Sequence, residues 1–173
     1  SNTPYRIMVD IETTGIETGA AIVQIGAVSF DRDGIGNTFN RSIDLVDAQR
    51  QGLHIDADTL LWWLEQEPMV REQLAGGDDL LAVMEAFVEF CEGVDEIWAN
   101  SPTFDCKKLK AAGEAVGIEM PWDYWQQRDY RTLMDLPVAV ETAHDTNHYA
   151  IDDAVAQAKD VAATLRAMGG DDV

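Results

Sequence analysis

The chain has 173 residues, 46% of them hydrophobic and 25% charged, proportions typical of a soluble globular protein. That length predicts one domain, over residues 4–168, with room for a sizeable core. Its formal net charge of −20 makes a surface that repels polyanions at long range and lacks the counterion-release footprint of a duplex-DNA binder. Two cysteines, Cys91 and Cys106, without metal-ligand spacing argue against a disulfide framework. That cysteine usage makes a reducing cytoplasm the expected setting, and with no run long and apolar enough to span a membrane and no signal-peptide pattern, no membrane partner is expected.

Tyr5 to Ile11 predicts a first strand that runs into Asp10-Ile11-Glu12-Thr13-Thr14-Gly15. Side chains two apart on a strand share a face, so Asp10 and Glu12 project together, opposite Val9 and Ile11. Such acids repel unless they are protonated or a cation lies between them. Hard oxygen ligands select Mg²⁺ or Mn²⁺ for that cation. An isolated Asp-x-Glu also ends many strands that lead into a turn. Ala20 to Phe30 predicts a central strand, Asp31 to Gly34 a turn, and Asn37 to Asp44 a third strand, together an antiparallel meander.

Asp56 or Asp58 can cap a helix through Leu60, Leu61, Trp62, Trp63 and Leu64 that ends near Pro68. After Gly76-Gly77, Asp78 is expected to cap a second helix with Leu80, Leu81, Met84, Phe87, Val88 and Cys91 at helical spacing. Glu96 to Ala99 predicts a strand, and Thr103 to Val116 a helix closed by Gly117. Pro121 to Arg131 reads as aromatic and irregular. A last helix runs from about Ala150 to Met168 on a stripe of Ile151, Ala154, Ala158, Val161, Ala162 and Leu165. Strands first, then strands alternating with helices, imply an α/β mixed sheet with helices on its faces.

Three more acids stand where elements change. Asp105 falls in the first turn of its helix, where the macrodipole favours a negative group. Asp152 and Asp153 flank the apolar stripe of the last helix, and periodicity does not choose between them. His148 precedes them in a loop, with His144 close by.

Taken together, Asp10-x-Glu12-x-x-Gly15, Asn100-x-x-x-Phe104-Asp105 and His148-x-Ala150-x-x-Asp153-Ala154 resemble, in order, the three motifs of the DEDDh 3′→5′ exonucleases. The Trp-Trp helix, Thr59 to Gln66, and Pro121-Trp122-x-x-Trp125-x-x-Arg128-Asp129-x-Arg131-Thr132 look like the exodeoxyribonuclease-VIII-like and exoribonuclease-like branch. The resemblance implies a ribonuclease-H-like five-stranded sheet, an antiparallel meander followed by parallel strands, with helices on both faces. It selects Asp153 over Asp152.

Carried over residue by residue, it implies a phosphodiesterase with two ions per site, Mg²⁺ or Mn²⁺. Asp10, Glu12 and Asp153 would hold the ion that activates the attacking water. Asp10, with Asp105 through water, would hold the ion that stabilises the leaving oxygen. His148 would be the general base, since an unperturbed imidazole titrates near neutral pH, with His144 the competing candidate. The substrate implied is a single-stranded DNA or RNA 3′ end, gripped by Thr13, Thr14, Gly15 and Asn100, by stacking on Trp62, Trp63 and Phe104, and by Arg128 and Arg131. Core packing competes with stacking for the tryptophans, and ion pairs with Asp129 and Asp135 compete for the arginines. Two other classes are open: a non-catalytic binder of nucleic-acid ends, disfavoured by the complete set of acids, and a ribonuclease-H-type endonuclease, disfavoured by the His-before-Asp motif. A homodimer is expected from the resemblance, although no interface stripe separates from the core stripes.

Overall fold

The computed structural model describes residues 3–144 and 147–169. Five strands form one sheet: β1 (Arg6–Thr13), β2 (Ile22–Asp31), β3 (Gly34–Ser42), β4 (Glu96–Ala99) and β5 (Gln127–Asp129). Their order is β3-β2-β1-β4-β5. The first three pair antiparallel, whereas β4 and β5 add in parallel to the open side of β1. This is the mixed sheet of the ribonuclease-H-like fold, as the sequence implied.

Alternation along β1 feeds two layers. Ile7, Val9 and Ile11 pack on one face, against Leu80, Val83, Met84 and Phe87 of α4 (Leu80–Phe90) and Leu109 and Ala112 of α5 (Pro102–Ala115). Met8 joins Val28, Phe30 and Trp98 on the other, beneath Ala154, Ala158, Val161, Ala162 and Leu165 of α7 (Ala150–Met168). Each layer removes a continuous apolar stripe from water, which is what holds the helices down. No helix among the described residues is long and apolar enough to cross a membrane.

Several local expectations are corrected. The third strand begins at Gly34 and stops at Ser42, because Asp44 is the N-cap of a helix the periodicity did not reveal, α1 (Leu45–Arg50), accepting from the Val46 and Asp47 amides. Of the two candidate caps for the Trp-Trp helix α2 (Ala57–Leu64), the structure selects Asp56. Asp79 rather than Asp78 caps α4, through the Ala82 amide, while the Asp78 carboxylate pairs with Arg41 at 2.8 Å. The stretch read as irregular contains β5 and leads into α6 (Tyr130–Met134). Three residues are too few for an apolar alternation to show.

Candidate active site

The same alternation that buries Val9 and Ile11 aims Asp10 and Glu12 at the α7 face, where the first turn of α7 presents Asp153. One carboxylate oxygen from each of the three lies within 4.8 Å of the others. Asp105, in the first turn of α5, is 2% exposed and joins the cluster from the side of β4. Of the two acids that periodicity left open, Asp152 points away and accepts from Asn147 at 2.7 Å.

The electrostatics follow from this crowding. Burial comes first, then the charges of Asp105, Glu12 and Asp153, and together they hold the Asp10 carboxyl well above the usual range. Burial, with Asp153 and Asp105 beside it, pushes Glu12 up to about 8. Burial pushes Asp105 to about 7, against hydrogen bonds from the Ile11 and Asp105 amides and the charge of Lys108. Burial also raises Asp153, with His148 opposing it. Ionising all four at once needs compensating positive charge, and the donor set is purely carboxylate oxygen. That chemistry fits hard divalent cations.

His148 stands in the loop ahead of α7 with φ 62°, its ring edge-on to Trp62 at 5.4 Å between centroids. His144 lines a cavity of about 290 Å³ together with Asp10, Asn100, Tyr130, Asp153, Ala156 and Gln157, and its Nε2 lies 3.2 Å from Asp160.

The tryptophans divide. Trp63 is 1% exposed and its Nε1 donates to the Thr13 carbonyl at 2.9 Å, so it is a strut beneath the β1 turn and offers no face to a substrate. Trp62 is 39% exposed beside His148. Thr14 and Gly15 are likewise built into the turn. The Thr14 hydroxyl donates to the Ala21 carbonyl at 3.0 Å, and a Cβ on Gly15 would meet Asp56 Cβ at 3.0 Å. Thr13 Oγ1 closes the same turn on the Gly15 carbonyl. Phe104 is half-buried, next in sequence to Asp105, and packs against the core.

Arg128 is turned to the far end of the sheet, donating to the Trp125 and Gln127 carbonyls and facing Glu96 at 3.5 Å. Its acidic neighbour is thus Glu96, not the Asp129 or Asp135 that the sequence suggested. Arg131 is exposed and donates from Nε to Asn100 Oδ1 at 3.2 Å, at the rim of the cavity.

Two residues escaped the sequence. Lys108 is buried, with Nζ 2.8 Å from the Ile16 carbonyl and 3.4 Å from the Phe104 ring centre. Its spacing, one turn beyond Phe104 and Asp105, was the available signal. Gln73, in the 3₁₀ turn Glu72–Leu74, donates to the His148 carbonyl at 3.1 Å, and nothing in its surrounding sequence marks it.

With this geometry in hand, known proteins give the setting. Residues 5–165 match the family described as "3′-5′ exoribonuclease Rv2179c-like domain". An exodeoxyribonuclease of Enterobacteria phage T4 is 23% identical over 162 residues, covering 76% of this chain and 71% of that protein. Among solved structures, an E. coli exonuclease I–single-stranded DNA complex superposes with a TM-score of 0.72 at 12% identity, over 97% of this chain and 41% of that one. The chain thus spans less than half of exonuclease I. The nuclease domain of 3′hExo, a DEDDh family member bound to rAMP, gives a TM-score of 0.68 at 13% identity over 96% and 94% of the two chains. At such identities the superpositions speak for the fold, while the family match covers nearly the whole chain. The chain belongs to the Rv2179c-like family of 3′-5′ exoribonuclease domains, and it is a 3′-5′ exonuclease.

Proposed function

We propose that this enzyme removes nucleoside 5′-monophosphates one at a time from single-stranded 3′ ends in a reaction that requires Mg²⁺ or Mn²⁺. The observation that carries the reading is the convergence of Asp10, Glu12 and Asp153 within 4.8 Å, with buried Asp105 alongside. Asp10, Glu12 and Asp153 would hold one ion and Asp10 with Asp105 a second, and ions held there would supply positive charge to the entering and leaving oxygens.

The protein's own groups do the rest. His148 accepts the proton of the attacking water from the loop that leads into the first turn of α7, where Asp153 stands. Trp62 and Phe104 offer ring surface to the terminal nucleotides, and stacking of this kind tolerates any base. Asn100 and Arg131 contact the substrate from the rim. Cations at the cluster also reconcile a net charge of −20 with a polyanionic substrate, because attraction is local.

The Trp-Trp helix and the family match support a place in the exodeoxyribonuclease-VIII-like and exoribonuclease-like branch. The family description names RNA and the phage relative's name DNA, so the sugar is decided by experiment. Single-stranded RNA and DNA of matched sequence, labelled at the 5′ end, are followed on a gel with Mg²⁺, with Mn²⁺ and with EDTA. A ladder that shortens from the 3′ end and stops in EDTA is expected, and the faster substrate names the sugar. Intact substrates in every metal overturn the reading in favour of an end-binding module, and cutting of circular strands overturns it in favour of an endonuclease. A homodimer is carried forward from the resemblance, to be checked by sedimentation.

A further inference from the structure

We infer that Gln73 is a positioning residue for His148, fixing where the imidazole stands relative to the acidic cluster by holding the backbone of the histidine loop. The inference rests on the assignment of His148 as general base. Gln73 is only 9% exposed, and a buried amide is costly unless it is hydrogen-bonded. Its Nε2 donates to the His148 carbonyl at 3.1 Å. Its Oε1 is buried without a partner among the described residues. Flipping the amide would set two acceptors face to face, so the orientation follows from the chemistry of the pair.

The backbone being held is unusual. Among the described residues His148 is the non-glycine residue with positive φ, at 62°. A side-chain-bearing residue persists there where its surroundings over-determine it. Three consecutive residues are clasped from three separate elements. Gln73 holds the His148 carbonyl, the Met69 carbonyl of α3 (Pro68–Arg71) accepts from the Tyr149 hydroxyl at 3.1 Å, and Gln24 Oε1 on β2 accepts from the Ala150 amide at 3.1 Å. The exposed imidazole itself stands against Trp62, 5.4 Å away at an interplanar angle of 82°. On the His148–Tyr149 peptide itself the Tyr149 amide donates to Asn147 Oδ1 at 3.2 Å, within the same loop, and the carbonyl accepts from Gln73, the contact that ties this peptide to another element. Releasing that carbonyl lets the peptide plane rotate and the Cβ swing, and a shift of about 1 Å at a reacting group is enough to cost on the order of 10²-fold in rate.

The experiment pairs Gln73→Met and Gln73→Leu with His148→Ala in the full chain. Both Gln73 variants are expected to lower kcat on single-stranded substrate roughly tenfold or more while KM stays within about twofold. Calorimetric affinity for Mn²⁺ is expected to be unchanged. In the metal-free protein, which has three histidines, the His148 Hε1 NMR signal, identified by its loss in His148→Ala, should move from its Trp62-shifted position toward that of a free imidazole. In the His148→Ala background the Gln73 changes should cost nothing further. A further loss in that background, or an unmoved Hε1 signal in a folded Gln73 variant, overturns the assignment. If His148→Ala is itself as fast as the parent, the general-base reading has failed. If His148→Ala is slow and Gln73→Met is not, the positioning role alone has failed.

Discussion

Gly26 of β2 lies directly under Ile151 of α7, so close that a Cβ on Gly26 would come within 2.2 Å of the Ile151 backbone nitrogen. The neighbouring Ala150 carbonyl carbon would be 2.3 Å away, and both obstacles are main chain, which cannot rotate aside. This contact lets the first turn of α7 settle onto the sheet and brings Asp153 down to Asp10 and Glu12. Gly26→Ala is expected to destabilise the protein by about 1–3 kcal/mol through overpacking and to weaken Mn²⁺ binding by more than the stability loss explains. Urea titration beside calorimetry measures both. A variant with parental Mn²⁺ affinity would show that α7 reaches its place without this contact.

A second expectation concerns pH in the absence of metal. Folding raises Asp105 to about 7 and Glu12 to about 8, and Asp10 well above its ordinary value, whereas unfolded carboxylates titrate near about 4. Between those limits the folded state binds more protons than the unfolded one. The stabilisation from these groups is therefore full below about pH 4 and lost as pH rises through about 7–8. In EDTA the melting temperature should fall between about pH 4 and about pH 8, and saturating Mn²⁺ should remove most of the fall by compensating the ionised cluster. Glu12→Gln should flatten the EDTA curve. A melting temperature that is level or rises in EDTA contradicts the charge balance drawn for the cluster.

The choice between adjacent acids gives a third test. Asp153 belongs to the cluster, and Asp152 is turned out to Asn147. Asp153→Ala should abolish turnover at any Mg²⁺ concentration, whereas Asp152→Ala should stay within roughly threefold of the parent, as solvent-exposed substitutions commonly do. Rates on a single-stranded oligonucleotide decide it, and the reverse pattern would move the fourth ligand by one residue.

What could be read from the sequence here was whatever a repeating period or a spaced motif encodes. Alternation placed Asp10 and Glu12 on the face opposite Val9 and Ile11, and the 3.6-residue stripe gave α7 its full extent. Asp44 and Asp79 as caps were illegible because Asp-rich turns offer several equivalent candidates, and the winner is fixed by which amide lies in reach. β5 was too short to alternate. Lys108, Gln73 and the turn of Arg128 toward Glu96 depend on contacts between segments distant in sequence, such as Gln73 with His148, which no local pattern records.

The two consecutive tryptophans should separate by readout. Trp63→Phe removes the bond to the Thr13 carbonyl and should cost about 1–2 kcal/mol of stability with KM nearly unchanged. Trp62→Ala should leave stability close to the parent and raise KM about fivefold or more, the weight of one lost stacking surface, with some loss of kcat because His148 rests on the same ring. Chemical denaturation and steady-state rates on one substrate preparation test both. If Trp62→Ala has an unchanged KM, the ring is a wall for the histidine and not a platform for a base.

The final expectation separates the two histidines through Asp160, which is 1% exposed in the middle of α7. Its carboxylate accepts from the Thr142 amide and hydroxyl at 2.7 Å each and from the Tyr130 hydroxyl at 2.6 Å, and faces His144 Nε2 at 3.2 Å. Burial pushes this carboxyl up, but the hydrogen bonds from Tyr130, Thr142 and His144 together outweigh it and hold it below its ordinary value. A depressed folded value means that its stabilisation is present above about pH 4 and disappears as pH falls through the folded value. Asp160→Asn should therefore cost about 2–4 kcal/mol at neutral pH, by leaving buried donors short of an acceptor, and progressively less in acid. His144→Ala gives up one partner of four at that carboxylate and should lower kcat only severalfold. His148→Ala should lose about 10²-fold and change the shape of the pH–rate curve. Should His144→Ala instead be the variant that reshapes the curve, the base is the histidine anchored to Asp160, and the loop held by Gln73 has a structural role only.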